Sequence, residues 1–89
     1  MKIVITITGR DQIGIVAMVA TACAEQNVNI LDINQNIIGG LFHMIMIGDM
    51  ASSTIPLKDL QEILKIKGEA MGLEIRAQSE DIFTLMHRV

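Results

Sequence analysis

A chain of 89 residues, 51% of them apolar and with a formal charge of −3, is long enough for one small domain with a real core, expected over residues 1–89. The acidic balance, the scattered Lys and Arg and the lack of Trp or Tyr exclude a nucleic-acid surface built on phosphate contacts or base stacking. No apolar run approaches the ~18 residues of a membrane span, no secretory signal is read, and the single Cys23 allows no internal disulfide, so a cytoplasmic protein without a membrane partner is expected.

The core composition is unusual, with sixteen Ile, seven Met and two Phe. Ile suits strands, and Met fills irregular gaps. Residues 2–8 alternate, with Ile3, Ile5 and Ile7 on one face and Lys2, Val4, Thr6 and Thr8 on the other, which predicts a half-buried strand. From Ile13 to Gln26 the period lengthens. Val16, Val19, Ala20 and Cys23 fall at i, i+3, i+4 and i+7, one stripe of an amphipathic helix that includes Cys23 as a small core residue. Asn27 and Asn29 suit the turn that follows.

Residues 28–38 and 41–50 read as two strands around Gly39-Gly40, a strong signal for a two-residue hairpin turn. That turn sets Ile37 opposite Phe42, Gln35 opposite Met44 and Ile33 opposite Met46. These residues share a face with Leu31 and are expected beneath the helices. The other face pairs Asn36 with His43, Asn34 with Ile45 and Asp32 with Ile47, so Asp32, Asn34 and Asn36 form a polar stripe along one strand. A bulge would break this register.

Pro56 fits the first turn of a second helix. Leu57, Leu60 and Leu64 form its apolar stripe beside Ile63 and Met71, and Gly72 is its stop. Gly68 costs this helix about 1 kcal/mol against Ala and marks a place where it could break. Leu73, Ile75 and Ala77 then alternate inward against Glu74, Arg76 and Gln78. Ser79 is positioned to cap a last short helix with Ile82, Phe83 and Met86 on its apolar side. The order β-α-β-β-α-β is the ferredoxin-like split βαβ pattern of the α+β class. Right-handed crossovers give an antiparallel sheet of order 4-1-3-2 with two helices on one face, plus a short C-terminal helix.

The chemistry-bearing stretch is Gly9-Arg10-Asp11-Gln12-Ile13-Gly14, between the first strand and the first helix. Glycines there let the chain turn tightly and leave helix N-terminal N–H groups facing outward, a place for a small anionic or zwitterionic ligand. The same residues also fit a plain capped turn with Asp11 as N-cap. Asn34 and Asn36 both donate and accept, which suits a zwitterion, and equally suit a solvated strand. His43 and His87 are the only histidines and stand at unrelated spacing, so no metal site is expected and no cofactor is implied.

Gly9-x-Asp11-x-x-Gly14-Ile15-Val16, followed by Asp32-Ile33-Asn34-Gln35, resembles the ACT domain, a small-molecule sensing module. The ending Glu80-Asp81-Ile82-Phe83-x-x-Met86-His87-Arg88 is similar to that of the stand-alone bacterial ACT proteins, so the resemblance covers essentially the whole chain. It implies a non-catalytic regulatory module that binds an amino acid at the interface of paired domains and acts on a separate protein. The ligand would lie between the Gly9–Gly14 loop of one subunit and the second strand, with Asn34 and Asn36, of its neighbour. A homodimer or larger homo-oligomer is expected. Gln12 departs from the pattern, since many relatives carry a basic residue directly after the motif Asp; Arg10 is the alternative source of charge.

Two other classes compete. One is a dimeric interaction module that binds no ligand. The other is an acylphosphatase-like enzyme, which shares the fold and which Arg10 and Asn36 superficially echo, although the loop spacing does not match. Fold alone does not decide among them. A further expectation concerns the sheet face away from the helices. Val4, Ile45 and Ile47 form an apolar patch there, which calls for an interface or for cover by the C-terminal segment.

Overall fold

In the computed structural model, which describes residues 1–86, the chain runs β1 (Lys2–Arg10), α1 (Ile15–Glu25), β2 (Asn29–Ile38), β3 (Leu41–Asp49), α2 (Leu57–Ala70), β4 (Glu74–Ser79) and α3 (Glu80–Met86). The strands form one antiparallel sheet in the order β2-β3-β1-β4, the expected ferredoxin-like topology. His87 and Arg88 of the C-terminal motif lie outside the described residues. Among the described residues no helix is long and apolar enough to cross a membrane.

The alternating strands produce the layers. Ile3, Ile5 and Ile7 are fully buried between β3 and β4, with Phe42, Met44 and Met46 beside them on β3 and Ile75 and Ala77 on β4. Leu60 and Leu64 of α2 close over this floor. The buried residues of α1 are Ile15, Val19, Ala22 and Cys23, so the expected stripe is rotated: Val16 is exposed and Ala20 only half-buried. Both stripes obey a 3.6-residue period, and the one containing Ile15 buries the bulkier side chain. The buried Cys23 thiol is pushed above its ordinary pKa by desolvation.

Helix α2 begins after Pro56 and continues unbroken through Gly68. A Cβ at Gly68 would lie 2.8 Å from both Cδ1 and Cγ1 of Ile75, so the glycine lets α2 press onto β4. Gly72, at φ 71°, turns the chain into β4 as expected. Gln61 of α2 donates its amide to the Ala77 carbonyl at 2.7 Å, occupying an acceptor of the edge strand β4.

Two expectations fail on β2. Leu31, Ile33, Gln35 and Ile37 are not covered by helices: Ile33 and Ile37 are 42% and 53% exposed. The cause is position, because β2 is the sheet edge and only its start, where Ile30 packs against the core, comes under α1. The hairpin register holds from Asp32 to Ile38, but Ile30 pairs with Gly48 while Asp32 pairs with Ile47, leaving Leu31 as the extra residue of a bulge.

The Ser79 hydroxyl accepts from the Ile82 N–H at 3.2 Å and caps α3 as expected. The helix then returns across the sheet face opposite α1 and α2, where the Gln78 amide donates to the Met86 sulfur at 3.2 Å. Val4, on the same face, is left only 3% exposed. Glu80 and Phe83 are the half-buried residues of α3, whereas Ile82 is exposed and Met86 is largely exposed beyond its sulfur.

Candidate ligand site

The stretch between β1 and α1 is not wholly a loop. Gly9 and Arg10 belong to β1, paired with Phe42 and Leu41. The hairpin is long enough to offer them partners. A Cβ on Gly9 would meet Leu73 Cδ2 at 2.5 Å and the Gly72 carbonyl at 3.3 Å, so this glycine lets the α2–β4 turn close against β1.

Beyond Arg10 the chain is braced on two sides. The Asp11 N–H donates to the Gly40 carbonyl at 3.0 Å, joining the loop to the hairpin tip. The Gln12 amide donates to the Met71 carbonyl at 2.9 Å and to the Arg10 carbonyl at 3.2 Å, joining it to the end of α2. Gly14, not Asp11, is the N-cap of α1; it sits at φ 96° and no side chain caps the helix. The left-handed turn at Gly14 directs the chain straight into α1, and the Asp11 carboxylate stays exposed with no partner among the described residues. The Met18 N–H bonds to the Gly14 carbonyl at 2.9 Å, so the N–H groups of Ile15, Val16 and Ala17 precede the first intrahelical bond. The turn thus carries an acceptor carboxylate three residues before the N-cap of a helix whose first N–H groups are open. Ile13 between them is completely exposed.

Asn34 and Asn36 lie on the sheet face away from α1 and α2. Asn36, His43 and Thr8 form one cross-strand row, and Asn34, Ile45 and Thr6 form the next. These six side chains line a hollow of ≈ 360 Å³. The Asp11–Gly14 turn does not contribute to it, so within one protomer the two halves of the expected site stay apart. Arg10 lies one row beyond, beside Leu41 and Ile38. Sequence reasoning did not include Thr6, Thr8 or His43 with the site residues, although the hairpin register already placed His43 beside Asn36. Near this face Glu74 and Arg76 neutralise each other at 2.7 Å, and Asp32 accepts from its neighbour, the Ile33 N–H, at 2.9 Å. Among the described residues no three His, Cys, Asp or Glu side chains are grouped to hold a metal ion.

A family profile described as ACT domain matches residues 1–78. A UPF0237 protein of the archaeon Methanosarcina acetivorans is 40% identical over 88 residues, covering 99% of this chain and 96% of its own length. An ACT domain protein from Streptococcus pneumoniae superimposes with a TM-score of 0.82 at 32% identity, over 93% of each chain. The regulatory subunit of aspartate kinase from Thermus thermophilus aligns with a TM-score of 0.66 at 26% identity, over 86% of this chain and 50% of that one. Fold, motif residues and relatives agree, and the chain belongs to the ACT domain family, alongside the UPF0237 proteins of archaea and bacteria.

Proposed function

We propose that residues 1–89 act as one amino-acid-sensing regulatory module, a cytoplasmic homo-oligomer that binds its ligand without transforming it and acts on a separate partner. The observation that carries this reading is the pairing of the unpartnered Asp11 carboxylate with the open N-terminus of α1 behind Gly14. An α-amino acid presents a carboxylate and an ammonium group. The helix N–H groups suit the first and Asp11 suits the second. Gly14 keeps the backbone accessible, Gly9 lets the α2–β4 turn close behind the loop, Gln12 braces the turn, Arg10 supplies positive charge at its start, and Ile13 offers apolar contact to the ligand's side chain.

The second wall of the proposed site is β2 of a mate, with Asn34 and Asn36. The β2 edge is long and carries exposed Ile33 and Ile37, and natural proteins normally pair or blunt such an edge. Strand pairing about a two-fold axis satisfies its free backbone groups and covers those side chains.

Calorimetric titration and thermal shift with a panel of amino acids test the reading. A cognate ligand at 100 times its Kd stabilises the fold by about 2.7 kcal/mol. Asp11→Ala and Gly14→Val are expected to weaken binding more than they destabilise the fold. Unchanged binding in both variants removes the loop from the site. A protein that dimerises and binds no amino acid is the ligand-free interaction module instead.

A further inference from the structure

A second hollow, of ≈ 340 Å³, lies between α2 and the edge strand β4, lined by Lys65, Glu69, Leu73, Glu74, Ile75 and Arg76. Its floor is apolar, because Leu73 and Ile75 face the helix and are buried. Gly68 lets α2 settle on Ile75, which brings the neighbouring helix residues Lys65 and Glu69 to the rim. The rim carries two positive and two negative charges. Glu74 and Arg76 are bound to each other, since one Glu74 oxygen accepts from Arg76 Nη2 at 2.7 Å and from Nε at 2.9 Å. Lys65 and Glu69 are exposed and make no ion pair with any described residue. Their i, i+4 spacing sets them on one face of α2, with Cβ atoms about 5–6 Å apart.

We infer that this hollow is a second small-molecule site, for an aliphatic zwitterion of the α-amino-acid type, held with its carboxylate at Lys65, its ammonium group at Glu69 and its side chain on Leu73 and Ile75. Such a ligand offers each free rim group an opposite charge and adds no net charge to a rim that is neutral as a whole. A simple anion meets Glu69 and Glu74, and a simple cation meets Lys65 and Arg76, so either is repelled as well as attracted. The helix sets the polarity. Glu69 lies in the last turn of α2, where the negative end of the dipole adds to the attraction for an ammonium group. The volume falls within the ~300–1,000 Å³ of small-ligand pockets and leaves room for a branched side chain. Two charge-assisted contacts and an apolar floor come from one protomer, so the site is complete without a mate. None of its lining residues belongs to the Asp11–Gly14 turn, and it does not depend on the role proposed for that turn.

Titration of the isotope-labelled full chain with L-leucine, followed by amide chemical shifts, tests the assignment. Saturable shifts are expected at Leu73–Arg76 and along α2 from Lys65 to Glu69. Isocaproate lacks the ammonium group, isopentylamine lacks the carboxylate and glycine lacks the side chain. Each is expected to bind the hollow about ten-fold more weakly than leucine, the loss of one contact. Lys65→Met keeps an apolar stem and removes the charge, so that chain should no longer prefer leucine to isopentylamine. Glu69→Gln should likewise no longer prefer leucine to isocaproate. A purely structural role for either residue moves neither preference. Absence of saturable shifts at Leu73–Arg76, or intact preferences in both variants, overturns the inference. Shifts confined to Asp11–Gly14 also overturn it and leave the reading of the turn standing. Shifts confined to the hollow support it and remove the turn from leucine binding.

Discussion

The side-chain amide of Gln12 reaches the Met71 carbonyl at 2.9 Å, a contact between residues 59 apart in sequence. It joins the turn after β1 to the end of α2, while the Asp11 N–H joins the same turn to the hairpin tip at Gly40. Gln12 thereby holds in place a turn that has no side-chain cap of its own.

Gln12→Ala removes that brace. The amide is exposed, so the loss is expected at the lower end of the usual hydrogen-bond range, about 0.5–1 kcal/mol. Gln12→Glu should cost more, because a carboxylate would face two carbonyl oxygens. Urea unfolding midpoints of the two variants give the comparison.

Gly68→Ala is expected to destabilise despite the better helix propensity of alanine. Propensity favours Ala by about 1 kcal/mol, but overpacking typically costs about 1–3 kcal/mol. The new methyl would fall 2.8 Å from two atoms of Ile75. Combining it with Ile75→Val should recover part of the loss, and a double-mutant cycle by chemical denaturation measures the coupling.

Gly14→Ala fails for a different reason. Nothing lies within 4 Å of the added Cβ, but φ is 96°. The left-handed backbone costs an L-residue about 1–2 kcal/mol, which outweighs the entropy gained in the unfolded chain. A net loss of about 1 kcal/mol is expected, with Gly14→Asn milder, read from thermal or urea unfolding.

Cys23 makes stability pH-dependent on the alkaline side. Its folded pKa is raised by burial, so the native chain keeps a proton that the unfolded chain releases. The contribution is fully present below the unfolded-chain value of about 8.5 and is lost as pH rises toward and through the folded value. Cys23→Ala should flatten that fall, seen in unfolding curves from neutral to alkaline pH. Native Cys23 should also alkylate far more slowly than the denatured thiol.

Much of this architecture was legible in the residues. Gly39-Gly40 fixed the hairpin register through Asp32, and the alternation of Ile3, Ile5 and Ile7 identified the core face. The register fails before Asp32 because a bulge adds a residue without any Gly or Pro to announce it. The burial of Ile33 and Ile37 was misread because alternation gives a face, not what covers that face. The two helices cover β2 only at its start, near Ile30. Asn34 and Asn36 were placed on the correct face, beside His43. The apolar periodicity of α3 did not reveal that Ile82 would be exposed, since a helix this short settles by its cap and by Phe83. The cap at Gly14 was missed because Asp11 has the right chemistry one turn too early.

Gln61 has a consequence for assembly. The two edges of the sheet are unequal: β4 is short, bears the Glu74–Arg76 pair and has its Ala77 carbonyl occupied by Gln61, whereas β2 is long and bare. The two edges are therefore unequal templates for strand addition, and β2 is the one whose backbone groups are open along a ten-residue strand. The glutamine amide is one of the features that blunt the shorter edge, and a chain with Gln61→Ala, which frees the Ala77 carbonyl, should be the more prone to edge-to-edge aggregation.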